Sequence, residues 1–347
     1  MDKPAAPATP RRRPPASGRR AWAWSNPSTR GWVYQLLALL LLATLGAWLL
    51  HNTLANMAVR GIRSGWDFLW QTAGFDIGEH LIAYESVDPY WRAFLVGVLN
   101  TLRVALIGIV LITVLGTLLG VARYSRNALV RGLSYTYVEL FRNVPVLVQL
   151  LVWYVVFVEF LPDANEPLKF AGVALLSKSG LSLPWLARSV ELGWHWSLPV
   201  PEGFTIMGGI TLSPEFLALL LGLSFYTAAF VAEVVRAGIA AVPRGQTEAA
   251  QSIGLSRAKT LRLVVLPQAL RVIIPPLTNQ YLNLTKNSSL AVAIGYPDVV
   301  SVANTALNQT GRAVECIAII MAVYLATSLS TAALMNVYNR RAAIGER

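Results

Sequence analysis

Apolar residues along this chain gather in blocks of about 20 or more, separated by polar stretches of very different lengths. Residues 32–50 run for 19 positions without a charge, close to the roughly 20 that carry an α-helix across about 30 Å of hydrocarbon. Comparable blocks occupy residues 94–122, 133–161, 214–240, 263–284 and 314–338. The pattern predicts an all-α integral membrane protein with six transmembrane helices. The first block exceeds the roughly 7–15 apolar residues of a signal-peptide core, so it reads as an uncleaved helix over residues 32–51.

The stretches between the blocks refine this picture. Residues 1–31, rich in Pro, Ala, Ser and Arg, have the composition of a disordered tail. Residues 52–92 hold Trp66, Trp70, Asp76 and Glu79, a mixture suited to packing at a membrane surface. Residues 161–213 contain apolar pieces too short to span, separated by Lys178 and Gly180 and interrupted by Pro184. They predict an extracytoplasmic insertion, built as a small subdomain or as interfacial helices, with a pair of extra spans as the competing reading. The fifth block carries Pro267, Pro275, Pro276 and Arg271. Proline removes intrahelical hydrogen bonds, so this span reads either as a broken helix lining a pathway or as an ordinary kinked packing helix. No internal repeat stands out, which argues against an inverted-repeat secondary transporter.

Composition agrees with membrane embedding: 14% of the 347 residues are charged and 55% hydrophobic, against about 25% and 45–50% in ordinary soluble domains. The net charge of +11 suggests nucleic acid until its distribution is read. Residues 1–31 hold seven basic residues and one acid, and residues 121–132, 240–262 and 338–347 add ten basic residues with two acids. The long stretches 52–92 and 161–213 reverse the balance, with six basic residues against nine acids. This alternation follows the positive-inside rule. It places both termini, the loop at 241–262 and the tail at 341–347 in the cytoplasm, with 52–92 and 161–213 in the periplasm. A nucleic-acid partner is not expected; Arg11, Arg12 and Arg13 keep open a basic tail on anionic lipid or nucleic acid. The lone Cys316 and the scattered His51, His80 and His195 offer neither a disulfide framework nor metal-ligand spacing.

The loop between the fourth and fifth blocks needs a specific explanation. Glu248, Ala249 and Ala250 favour helix, with Gly245 and Gly254 as breaks on either side. Such a two-turn helix is marginal in water and needs a partner to hold it. The small face at Ala249 and Ala250 permits close approach to a groove, and Glu248 suits the helix dipole; the plainer alternative is a surface helix packed on its own chain. Glu248-Ala249-Ala250, three residues, Gly254, nine residues, Val264, one residue, then Leu266-Pro267 resembles the ATPase-docking loop of ATP-binding-cassette import permeases. Val264 in place of the usual Ile is the one departure. Tyr226-Thr227-Ala228-Ala229-Phe230, Pro243-Arg244-Gly245-Gln246, Leu284 to Leu290, and Glu139-Leu140-Phe141-Arg142-Asn143-Val144-Pro145 are similar to the histidine-, glutamine- and glutamate-type permeases of the polar amino-acid family. The resemblance covers roughly residues 93–340. The added first helix and the 161–213 insertion are similar to the larger subunits of general L-amino-acid importers.

The resemblance implies a type I importer core of five helices behind one extra N-terminal helix, in the bacterial inner membrane. It also implies ABC ATPase subunits, a second permease subunit in a heterodimer, and a periplasmic amino-acid-binding protein. ATP and Mg belong to the partner ATPase; no Gly-x-x-x-x-Gly-Lys-Ser/Thr phosphate loop is found here, and no cofactor or catalytic set is expected in a chain read as a transport subunit, not an enzyme. Arg244, Gly245, Glu248, Ala249, Ala250, Gly254, Leu266 and Pro267 become the expected ATPase-docking residues. Ionisable groups at membrane depth are costly and mark either function or pairing. Glu139 with Arg142, and Glu233 with Arg236, stand three apart on a helix face and so are placed to pair. Lys286, Asn287, Ser288 and Ser289, with Glu139 and Arg142, are the expected substrate pathway, Lys286 lying near the carboxylate of the cargo; a plain tie between helix ends is the alternative. A secondary transporter or channel independent of an ATPase, and a membrane enzyme, are the competing functions.

Overall fold

A computed structural model of the chain describes residues 27–59, 61, 64–189 and 193–343; residues 1–26 of the expected tail and 344–347 at the other end lie outside these. Two compact units divide the chain at Arg63–Ser64. The first contains helix α1, Pro27–Val59. It starts inside the segment expected to be tail and continues eight residues past the expected end of the span. Most of its apolar side chains, Leu39 and Trp48 among them, are exposed.

The second unit holds the remaining helices. They are α2 (Tyr90–Ala122), α3 (Ala128–Asn143), α4 (Val146–Val155), α5 (Pro214–Ala240), α6 (Arg244–Ser252), α7 (Arg257–Thr260), α8 (Leu266–Asn287), α9 (Val299–Thr310) and α10 (Ala313–Ala343). Among the described residues five helices are long and apolar enough to cross a membrane, and six if α3 and α4 count as one span. That pair is bent by 103°, which corrects the expected continuous helix over 133–161. Pro145 is the cause. It forces Val144 out of helical geometry, to φ −94° and ψ 128°. Buried Gln149 then repairs the break, its Nε2 donating to the carbonyls of Phe141 at 2.9 Å and Val144 at 2.8 Å. Irregular backbone in an apolar surrounding survives only where such partners exist.

The prolines of the fifth block act differently. Helix α8 runs unbroken through Pro275 and Pro276, both on its exposed side. The irregularity comes earlier, as a π-helical stretch at Leu261–Val265. Of the two readings left open for this span, a helix broken at Pro275 and Pro276 is therefore not the one found.

Helix α5 lies at the centre, with α2, α3, α4 and α8 packed on it. Small residues allow the closest of these contacts. A Cβ on Gly116 would sit 2.5 Å from the Val231 Cβ, and one on Gly120 would sit 2.7 Å from the Ala232 carbonyl oxygen. Two glycines four apart on one face let helix backbones touch, which is how membrane helices gain packing without a hydrophobic drive between them.

The described residues of 161–213 form eight short strands, not interfacial helices or extra spans. These are β1 (Leu168–Phe170), β2 (Ala174–Ser177), β3 (Gly180–Leu183), β4 (Trp185–Ser189), β5 (Gly193–Ser197), β6 (Val200–Glu202), β7 (Thr205–Met207) and β8 (Ile210–Leu212). An antiparallel sheet in the order β1-β2-β3-β8 stands beside the hairpins β4-β5 and β6-β7. Alternating burial along β2 and β3 is the period-2 pattern of a half-buried sheet. The chain is thus a mostly helical membrane protein with a small β insertion.

The segment 64–89 folds onto the N-terminal end of α2. Phe68 is buried between the rings of Tyr90 and Phe94. Glu79 pairs with Arg103 and accepts from the Ser213 hydroxyl, tying this segment to α2 and to the start of α5. Asn100, fully buried, donates to the carbonyls of Glu79 at 2.7 Å and Pro297 at 2.9 Å. Trp66 and Trp70 remain exposed.

Candidate functional site

The loop between α5 and α8 contains the short helix that the sequence predicts, starting two residues earlier than its glycines suggest. Pro243 stands at the N-cap and Arg244 begins the helix, so Gly245 lies within the first turn and does not break it. The C-terminal stop at Gly254 is as expected. Its backbone is left-handed, at φ +85°, a conformation that glycine adopts without strain. The Gly254 N–H donates to the Gln251 carbonyl at 2.9 Å and the Leu255 N–H to the Ala250 carbonyl at 3.1 Å. This pair of bonds is a Schellman motif, which satisfies carbonyls that a helix end otherwise leaves free. Ser256 then caps α7 by accepting from the Lys259 N–H at 3.5 Å.

The expected docking residues divide into two faces. Arg244, Gly245, Glu248 and Ala249 are exposed, as are Gly254 and Pro267; Leu266 is half-buried. Ala250 is buried, so it seats α6 on its own chain and is not available to a partner groove. Ile253, 78% exposed, is the large apolar side chain left open at the end of the helix. Sequence reasoning missed it, although an isoleucine beside a helix-stopping glycine in a polar loop was a usable signal. Behind α6 lies a cavity of about 490 Å³ lined by Val121, Ile239, Thr247, Gln251 and Leu261 among others.

The intramembrane charges resolve unequally. Glu233 and Arg236 pair as their spacing predicts, at 2.5 Å, and Arg123 joins the same carboxylate at 2.5 Å. Glu139 and Arg142 do not pair. The Arg142 guanidinium stands over the Phe230 ring, 5.2 Å from its centroid, and the Glu139 carboxylate faces the Asn143 amide at 3.5 Å. Lys286 is exposed at the end of α8 and Asn287 is half-buried. The Ser288 hydroxyl donates to the Thr285 carbonyl and Ser289 to that of Lys286. Both hydroxyl protons are therefore committed to the helix end. Among the described residues no hydrogen bond or ion pair joins Glu139 or Arg142 to the 286–289 cluster.

Helix α9 was not predicted at all. Asp298 caps it, accepting from the Ser301 N–H at 2.8 Å, while the Tyr324 hydroxyl faces its other oxygen at 3.4 Å. Burial pushes the Asp298 carboxyl up to about 7, against the opposing pull of these hydrogen bonds. Thr101 accepts from the Val299 N–H at 3.1 Å, joining α9 to α2.

Comparison with known proteins agrees with this architecture. The family described as "Binding-protein-dependent transport system inner membrane component" matches residues 112–344. The putative amino-acid ABC transporter permease protein YhdX of Escherichia coli K12 is 45% identical, over 94% of this chain and 97% of its own. The general L-amino acid transport system permease protein AapQ of Rhizobium johnstonii is 40% identical, over 94% and 95%. A solved amino acid ABC transporter, crystallised with histidines, superposes with a TM-score of 0.53 at 26% identity, covering 73% of this chain and 95% of that one. The relatives are transport subunits, and they leave the ATPase-independent transporter without support. The chain belongs to the inner-membrane components of binding-protein-dependent transport systems, as a permease subunit of an ABC importer.

Proposed function

We propose that this subunit moves L-amino acids from periplasm to cytoplasm by alternating access, driven by a separate ATPase that docks on α6. The reading rests chiefly on one observation: a largely exposed helix between two spans, closed at its C-terminal end by a Schellman motif and carrying Glu248, Ala249 and Gly254 at the spacing of the docking loop. ATP and Mg are held by that partner. A second, different permease subunit completes the pathway, and a periplasmic binding protein delivers the cargo. Both termini and α6 face the cytoplasm, on the charge distribution of the loops. The amino-acid cargo is carried over from YhdX and AapQ. Lys286 and Asn287 meet the carboxylate of the cargo, whereas Ser288 and Ser289 shape the helix end that presents them.

Purification of the complex with its binding protein, followed by ATPase measurements across the amino acids, tests the whole reading. ATPase activity should rise with the transported amino acids, and Glu248→Lys should reduce co-purification of the ATPase. Transport by the chain without an ATPase would overturn it. Lys286→Met in an assembled complex should weaken uptake; unchanged affinity and rate would remove Lys286 from the path.

A further inference from the structure

At the end of the bundle that carries α6, a cleft of about 490 Å³ opens between the end of α2, the turn after it, the first two turns of α3 and the last turn of α5. Arg123, Tyr124, Arg131, Gly132, Tyr135 and Arg236 line it. Three guanidinium groups converge there against one carboxylate. Glu233 takes Arg123 and Arg236 together, so three positive charges less one negative leave two in excess. The Arg131 guanidinium donates a single hydrogen bond among the described residues, to the neutral Ser125 carbonyl at 3.0 Å. The Tyr124 hydroxyl is spent on the Arg236 carbonyl at 2.7 Å, and the Tyr135 ring lies under Arg123 at 5.4 Å.

Glu233 offsets one of these charges, and the remaining excess is relieved only if a further anion shares the guanidinium groups. Their planar forks match the oxygens of a phosphate. The N-terminus of α3, at Ala128 on the cleft wall, adds the positive end of a helix dipole. Beside the cleft on α3, Leu129 is 68% and Leu133 65% exposed. They form an apolar track leading away from the charge, at helix ends where a membrane gives way to water. Basic pockets between transmembrane helices favour lipid headgroups on these terms.

We infer that this cleft binds a phosphate group, and that its source is an anionic phospholipid of the surrounding bilayer. The phosphate sits against Arg131 and the free donors of Arg123, with the acyl chains along Leu129 and Leu133. No residue of the docking helix or of the 286–289 cluster lines this cleft, which shares Tyr124 with the cavity behind α6.

The test uses the full chain in neutral detergent, titrated with short-chain phosphatidylglycerol, short-chain phosphatidylcholine or inorganic phosphate, with binding read by native mass spectrometry. Phosphatidylglycerol should bind saturably, one per chain, and phosphatidylcholine at least tenfold more weakly. Arg131→Ala should lower the phosphatidylglycerol affinity at least tenfold, and Arg131→Lys less. Gly132→Leu separates shape from charge: a Cβ there meets no atom within 4 Å, and leucine favours helix, so the chain folds while the cleft fills and binding falls. Equal binding of the two lipids would overturn the inference, as would unchanged affinity in both Arg131→Ala and Gly132→Leu. Binding of inorganic phosphate with no binding of phosphatidylglycerol would overturn the lipid as its source.

Discussion

Asp298 makes the stability of the chain depend on pH, in a direction that is unusual for a carboxylate. It is fully buried at the N-cap of α9, between two spans. Burial raises its pKa from 3.8 to about 7. The native carboxyl therefore keeps its proton up to about pH 7, whereas the unfolded chain releases it near pH 4. Between those values the native state binds more protons, so stability is full below about pH 4 and falls as pH rises toward 7. A gap of about three pH units, at 1.36 kcal/mol each, is worth about 4 kcal/mol in all. Asp298→Asn removes the titration and keeps the cap, because the amide oxygen accepts from the Ser301 N–H and asparagine caps as well as aspartate. Unfolding of the purified chain in mixed micelles, at pH 5 and pH 8, measures the difference. The variant should gain on the wild type by roughly 2–3 kcal/mol between those two values. An unchanged gap would refute the reasoning, since it would mean that the native carboxyl ionises as easily as the unfolded one.

Three further substitutions test other parts of the structure. Gln149→Leu strips both repaired carbonyls at the Pro145 break and should cost about 2–4 kcal/mol, read in the same unfolding assay. Gly120→Val drives a side chain into the Ala232 backbone and should cost about 3 kcal/mol, with lower yield of folded protein. Gly254→Ala forces a left-handed residue at the α6 stop and should cost the loop about 1–2 kcal/mol. ATPase co-purification should fall with it, and fall less for Gly254→Asn.

Long apolar blocks made the spans legible. The block at Pro214–Ala240 coincides with α5 to the residue, because a charge-poor run of that length has little alternative to a helix. Short elements were not legible. The pieces of 161–213 became strands because a run of three to five residues carries no helical period, and the pairing that decides its fate is distant: Leu181 meets Leu212. Pro145 was visible but its consequence was not, since the bend depends on Gln149 supplying two donors four residues on. Proline content alone pointed to α8, where the chain continues through Pro275 and Pro276. At the site, spacing gave the Glu233–Arg236 pair but failed for Glu139 and Arg142, because Arg142 lies over the aromatic face of Phe230 on α5 instead. Ala250 reads as one of two equivalent small residues until the helix has a buried side.

That buried side bears on how a docked ATPase would move this subunit. Helix α6 follows α5 after only residues 241–243 and is anchored by Ala250, and α5 is the helix on which α2, α3, α4 and α8 rest. A displacement of α6 therefore reaches the bundle centre through three residues, with little slack to absorb it. The link on the other side is longer and less regular, running through α7 and the π-helical stretch Leu261–Val265 into α8. Helix α6 packs along this second link, on α7 and the π-helical stretch, so cutting the first link tests which of the two carries the motion. Insertion of Gly-Gly between Ala241 and Val242 should then leave α6 folded, since the helix begins at Arg244, beyond the insertion, and keeps its stop at Gly254, and should leave ATPase co-purification near wild type. Uptake in the assembled complex should fall at least tenfold. Uptake that survives the insertion would show that α8, not α5, carries the stroke.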